Sequence, residues 1–150
     1  MAVSIHLQVK GLNELRKKFE QAPRVVGPEL EKATKDAGAV LMSASKKESP
    51  IKTGALRRSI SMSYKPIQVS VYTNQNYAIP VHEGYRAHTI YPVRAGALRF
   101  KTKSGKIVYA KRANIPRYKG NPFFRRAVND AKRRVEEIFA NAISRIIKKL

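Results

Sequence analysis

The side chains best suited to acid–base or metal chemistry stand close together in this sequence: His82, Glu83 and His88. An imidazole beside a carboxylate can relay a proton or share a cation. A metal centre needs more ligands and a supporting layer of hydrogen bonds. The chain offers one further histidine, His6, with no cysteine and no second acid nearby. The three residues are therefore read as structural, with Glu83 expected to pair with one of the surrounding arginines. The sequence carries no recognisable nucleophile–base pairing, phosphate-binding glycine loop or paired carboxylates. No catalytic, metal or cofactor-binding residue is assigned, no cofactor is expected, and the chain is not expected to be an enzyme.

A stronger signal is electrostatic. From Gly84 to Asn129 there is no Asp or Glu, while Arg86, Arg94, Arg99, Lys101, Lys103, Lys106, Lys111, Arg112, Arg117, Lys119, Arg125 and Arg126 are all present. Twelve unopposed cations in one segment repel each other, so they imply an anionic surface facing them in the working state. The whole chain carries a formal charge of +21, a balance associated with nucleic-acid, anionic-membrane or acidic-protein partners. Its 43% hydrophobic content argues for a folded chain despite that charge. Without cysteine, stability must come from packing or assembly.

The elements that position these residues follow from periodicity. Val3, Ile5, Leu7 and Val9 alternate with polar residues as in a half-buried strand. Leu12, Leu15 and Phe19 take helical spacing, and after a break at Pro23 a second helix is expected from Gly27-Pro28, with Leu30, Ala33, Ala37, Val40, Leu41 and Ala44 on its inner stripe. Ser49-Pro50 ends it, leaving a basic loop near 46–58 that exposes Lys52, Arg57 and Arg58. Ile60, Met62 and Tyr64, then Ile67, Val69 and Val71, form an antiparallel hairpin. A second, basic hairpin near 97–112 turns at Ser104-Gly105 and carries Arg99, Lys101, Lys103 and Lys106. Asn121 is placed to cap a final amphipathic helix with Pro122 in its first turn. In that helix Phe124 is assigned to the core and Phe123 to contact with a neighbouring subunit. The expected fold is α+β: an antiparallel β-sheet with N-terminal helices and a long C-terminal amphipathic helix packed on it, a single domain over residues 1–150.

Several landmarks recur in a fixed order: Thr53-Gly54-Ala55-Leu56-Arg57-Arg58-Ser59-Ile60, Tyr77-Ala78, Val81-His82-Glu83-Gly84, His88-Thr89-Ile90-Tyr91-Pro92, Ala97-Leu98-Arg99-Phe100 and Asn121-Pro122-Phe123-Phe124-Arg125-Arg126-Ala127. Over residues 50 to 130 this order resembles the neck proteins of long-tailed double-stranded-DNA phages, the head–tail joining or tail-completion family. The chain departs from that pattern at Gly84-Tyr85, where many relatives have Gly-Thr, and at Asn114-Ile115-Pro116, where they have His-Pro-Gly. The resemblance implies a structural virion protein that forms a ring of six or twelve copies. Such a ring joins connector or head-completion proteins to the tail and continues the channel for genomic DNA.

In that setting Lys52, Arg57, Arg58, Arg99, Lys101, Lys103 and Lys106 would face DNA, without regard to sequence, or an acidic partner ring, and Glu83 and Phe123 would lie at the subunit interface. Six copies would bring six times +21 charges together, which only an anionic neighbour offsets.

The competing reading is a free basic nucleic-acid-binding protein, with Tyr85, Tyr91, Phe100, Tyr109 and Tyr118 interleaved among cations and able to stack on unpaired bases. The recognised RNA and single-strand modules leave no signature here. The basic amphipathic C-terminal helix also fits a membrane surface, but a chain of this size needs such a helix to close its core, so no membrane partner is expected. With no signal-peptide pattern at its N-terminus, the protein is expected to be made in the host cytoplasm and carried in the virion.

Overall fold

The computed structural model of the chain describes residues 3–7, 23–102 and 104–149. Its elements are β1 (Val3–Leu7), α1 (Pro23–Glu48), α2 (Ala55–Ser59), β2 (Ile60–Lys65), β3 (Gln68–Thr73), α3 (Ala78–Glu83), β4 (His88–Ile90), β5 (Leu98–Lys101), β6 (Ile107–Ala110), β7 (Ala113–Ile115) and α4 (Phe123–Lys149). The mixture of two long helices with antiparallel strands is the α+β domain expected from the sequence. The helix anticipated around Leu12, Leu15 and Phe19 lies outside the described residues.

Helix α1 buries Val26, Leu30, Ala33, Ala37, Leu41 and Ala44, three or four residues apart, which keeps them on one side of a 3.6-residue turn. Its two buried hydroxyls turn back on the helix: Thr34 Oγ1 donates to the Leu30 carbonyl at 2.8 Å and Ser45 Oγ to that of Leu41 at 2.7 Å. The helix starts four residues earlier than Gly27-Pro28, at Pro23, and Pro28 lies inside it. Proline withholds an N–H from the Arg24 carbonyl and crowds it. Arg24, Gly27 and Pro28 are exposed, so water reaches that carbonyl, and Gly27 has no Cβ to meet the proline ring. The C-terminal end is as expected, at Glu48 before Pro50.

Helix α4 buries Phe123, Phe124, Ala127, Ala131, Val135, Phe139, Ala142 and Ile146 and lies antiparallel to α1. Ion pairs fix that direction. At one end Glu29 accepts from Arg145 Nε at 2.9 Å and from Lys149 Nζ at 2.6 Å. At the other, Arg126 Nε reaches Glu48 Oε2 at 2.7 Å and Lys47 Nζ reaches Asp130 Oδ2 at 3.2 Å. The facing stripes are rich in alanine, which allows two backbones to approach closely, and the two phenylalanines at the start of α4 are buried in the same cluster.

The three-stranded sheet has the order β1-β3-β2, all antiparallel, with Ile5 opposite Val71 and Met62 opposite Val71 from the other side. Pro66 and Ile67 form the two-residue turn between β2 and β3. The sheet meets α1, and α4 joins the same core: Leu56, Ile60, Val71, Ala78 and the α1 and α4 stripes form one cluster. Gly38 makes the helix-on-sheet contact possible, because a Cβ there would fall 2.3 Å from Val69 Cγ2 and 2.7 Å from Met62 Sδ.

Two outcomes follow from this packing. Gly38→Ala gains about 1 kcal/mol of helix propensity but overpacks the central strand at a cost of about 1–3 kcal/mol. A lower melting temperature is the expected result in differential scanning calorimetry. Lys149 and then Arg145, through their hydrogen bonds, hold the Glu29 carboxyl at about 2 instead of 4.5. A depressed carboxylate stabilises fully above its unfolded value and loses that contribution as pH falls towards the folded one. Glu29→Gln should therefore be less stable than the wild type at neutral pH, with the gap closing between about pH 4.5 and 2 in urea titrations.

Candidate functional site

Beyond α3 the chain leaves the core. From Glu83 to Pro122 no described residue is buried. The strands in this stretch pair only with each other, in two two-stranded sheets, β4 with β7 and β5 with β6. Nearer the core the two limbs are tied by a bridge in which the Tyr85 and Tyr118 amides each donate to the other's carbonyl, at 2.9 and 3.0 Å. The successive pairs Tyr85–Tyr118, His88–Ile115, Ile90–Ala113, Leu98–Ala110 and Lys101–Ile107 nest inside one another, so the stretch is one long antiparallel ribbon, an arm. Its limbs are unequal: residues 91–97 on the outgoing side face only 111–112 on the return, and the excess forms the loop Tyr91–Ala97.

The arm enters and leaves the core through two glycines. Gly84 has φ 86° and ψ −174°, a region open essentially to glycine alone, and Gly120 has φ 87°. A Cβ on Gly84 would lie 2.3 Å from the Tyr118 carbonyl oxygen, and one on Gly120 2.5 Å from the Glu83 carbonyl carbon. Main chain passes main chain here with no room for a side chain. The Asn121 amide donates to the Val81 carbonyl at 2.8 Å and closes the crossing against α3.

Below the crossing, His82 is buried, its Nδ1 donating to Glu83 Oε1 at 2.6 Å and its ring set edge-on to Phe123 with centroids 5.3 Å apart. This corrects three expectations. Glu83 pairs with its α3 neighbour His82, and among the described residues no ion pair joins it to an arginine. Phe123 is fully buried in its own chain against His82 and Phe124, so it is a core residue and not a free subunit contact. Asn121 does not cap α4: its amide serves the crossing, and its Oδ1 is buried without a partner. His88 lies apart from His82 on the exposed arm, its Nδ1 donating to the Arg86 carbonyl at 2.9 Å. Among the described residues no three His, Cys, Asp or Glu side chains gather to hold a metal ion.

The cations fall into two places. Lys52, Arg57 and Arg58 are exposed at the foot of the arm. There a cleft of about 480 Å³ is lined by Ile51, Lys52, Leu56, Tyr77, Val81 and Tyr118. The basic stretch near 46–58 is not one open loop, since α2 occupies its end and buries Leu56. Arg99, Lys101 and Lys106 are exposed at the far end of the ribbon, and Lys103 lies outside the described residues. The structure therefore does not gather these cations into a single site.

Alternation and pairing divide the distal hairpin into two faces. Leu98 lies opposite Ala110 and Phe100 opposite Val108, one apolar face; Arg99 lies opposite Tyr109 and Lys101 opposite Ile107, the other face. None of the ion pairs among the described residues uses a cation from the arm. The acids are engaged elsewhere: Glu29, Glu48, Asp130 and Glu137 all pair with cations of α1 or α4.

Fold and site together define an α+β domain carrying a protruding, acid-free β-ribbon. Residues 13–84 match the family model described as "Bacteriophage HK97-gp10, putative tail-component", and this part of the chain is HK97-gp10-like, consistent with the head–tail and tail-completion resemblance read from the landmarks. The matched span contains α1, α2, the β2–β3 hairpin and α3, and ends at Gly84 where the arm begins. No curated protein and no solved structure matches the chain.

Replacing Gly84 or Gly120 by alanine should break the crossing while leaving the helix pair folded. In amide hydrogen exchange the Tyr85 and Tyr118 amides should lose protection, with α1 and α4 protected as in the wild type.

Proposed function

We propose that this protein is a non-enzymatic structural component of the phage virion at the head–tail joint. In this reading copies close into a ring, meet connector or head-completion proteins on one side and tail proteins on the other, and line the passage for genomic DNA. The family match supports a tail component. The arm carries the finer reading. Its stretch of sequence holds ten of the twelve cations of the acid-free segment, all but Arg125 and Arg126, and none of its described residues is buried.

A monomer gains nothing from such an arm. It also exposes Tyr91, Val93, Phe100, Val108 and Tyr109, side chains that stabilise an assembly when a neighbour covers them. The charge is offset when phosphates or acidic faces lie against the ring, so assembly and an anionic neighbour go together. Among the described residues no helix is long and apolar enough to cross a membrane.

A second reading, a free nucleic-acid-binding protein, draws on the exposed rings of Tyr85, Tyr91, Phe100, Tyr109 and Tyr118 along the same arm. Stacking on unpaired bases would favour single strands over duplex.

Light scattering across a concentration series separates the two. A closed oligomer, found also in purified particles by mass spectrometry, is the expected result. A chain that stays single at every concentration, is missing from particles and prefers single strands would sink the neck assignment.

A further inference from the structure

We infer that the distal hairpin is a one-sided phosphate-backbone site for duplex DNA, formed by the Arg99–Lys101 face of β5 together with Tyr109 of β6. The inference deepens the proposed function and rests on it for the source of the DNA. It selects one of the two anionic partners and one of the two faces.

The geometry of the strand argues for it. Arg99 and Lys101 are two residues apart on one strand, so their side chains leave the same face about 6.7 Å apart. Phosphates of one DNA strand rise about 3.4 Å each along the helix axis. Because the backbone also winds around that axis, neighbouring phosphates are farther apart than this rise, at a separation that two cations spaced in this way can meet. Tyr109, opposite Arg99 and 65% exposed, presents a phenol of the kind that donates to phosphate oxygens.

No acid lies between Gly84 and Asn129, and no ion pair among the described residues engages Arg99 or Lys101. A DNA strand presents its phosphates at a fixed repeat, which two cations held at a fixed spacing on one β-strand can meet; a folded acidic protein surface has no such repeat. The opposite face, with Leu98, Phe100, Val108 and Ala110, offers a phosphate neither charge nor donor.

The contact would be indifferent to base sequence. Lysine and arginine fields on phosphates position DNA without reading it, which suits a strand that must move past.

The test compares wild type, Arg99→Gln/Lys101→Gln and Phe100→Ser/Val108→Ser by fluorescence anisotropy with a short duplex of random sequence, at salt from about 50 to 200 mM. Each phosphate contact contributes about 0.9 to the slope of log affinity against log salt, so the charge variant should flatten that slope by about 1.8. The apolar-face variant should leave it unchanged. Circular dichroism melts check that both variants fold.

A slope unaltered by the charge variant, or flattened equally by the apolar one, overturns the assignment. So does wild-type binding to polyglutamate as tight as to duplex, which would mark the face as a site for acidic protein. The measurement is made per chain at dilutions where the protein is single, so a chain that never closes a ring still reports on the face. A ring whose slope ignores Arg99 and Lys101 refutes this inference alone.

Discussion

Two strands of main chain cross at Gly84 and Gly120 so closely that a methyl group on either would strike the other's backbone. The crossing separates two regimes of physical chemistry. Below it, α1, α4 and the three-stranded sheet share a core in which Phe123 and Phe124 are wholly enclosed. Above it no described residue is buried, and the ribbon is held by its own ladder and by the paired rings of Tyr85 and Tyr118, centroids 5.5 Å apart. The geometry of the arm relative to the core is thus set by backbone, where side-chain changes along the ribbon have least influence.

The same boundary divides the charges. Ten acids serve 31 lysines and arginines in this chain. Four of those acids are committed to the two long helices, closing both ends of the antiparallel pair or bracing α4 along its length. Most of these pairs are solvent-exposed and contribute little each. Glu29 is the exception, half-enclosed between Lys149 and Arg145 and strongly depressed in pKa. Drawing the acids into the core region leaves the arm with uncompensated charge, and that asymmetry makes the surface suitable for an anion.

Much of the fold was legible from periodicity. The α4 stripe, the end of α1 before Pro50 and the alternation of Val69 and Val71 each report burial through spacing alone. What spacing misreports is burial imposed by a distant element. Phe123 sits beside the stripe of α4 and reads as a surface residue, yet the ring of His82 from α3 covers it. Pro28 reads as a helix start, but α1 runs through it where Arg24, Gly27 and Pro28 are exposed to solvent. Gly84 stands among the recurring landmarks of the sequence, whereas its partner Gly120 does not, because nothing local announces that two remote glycines will touch. The division of the distal hairpin into two faces was present in the alternation of Leu98, Arg99, Phe100 and Lys101. It becomes meaningful only with the register across to Ile107–Ala110.

The unequal limbs of the ribbon have a mechanical consequence. With seven residues opposite two, the ladder is interrupted between Ile90 and Leu98, and insertions in one limb of a strand pair turn it from a straight course. The loop Tyr91–Ala97 is therefore an elbow: lengthening or shortening it would swing the tip to a new angle and reach while the shoulder at the two glycines and the packed body stayed as they are. Changes of length confined to that elbow leave untouched every residue that holds the body together.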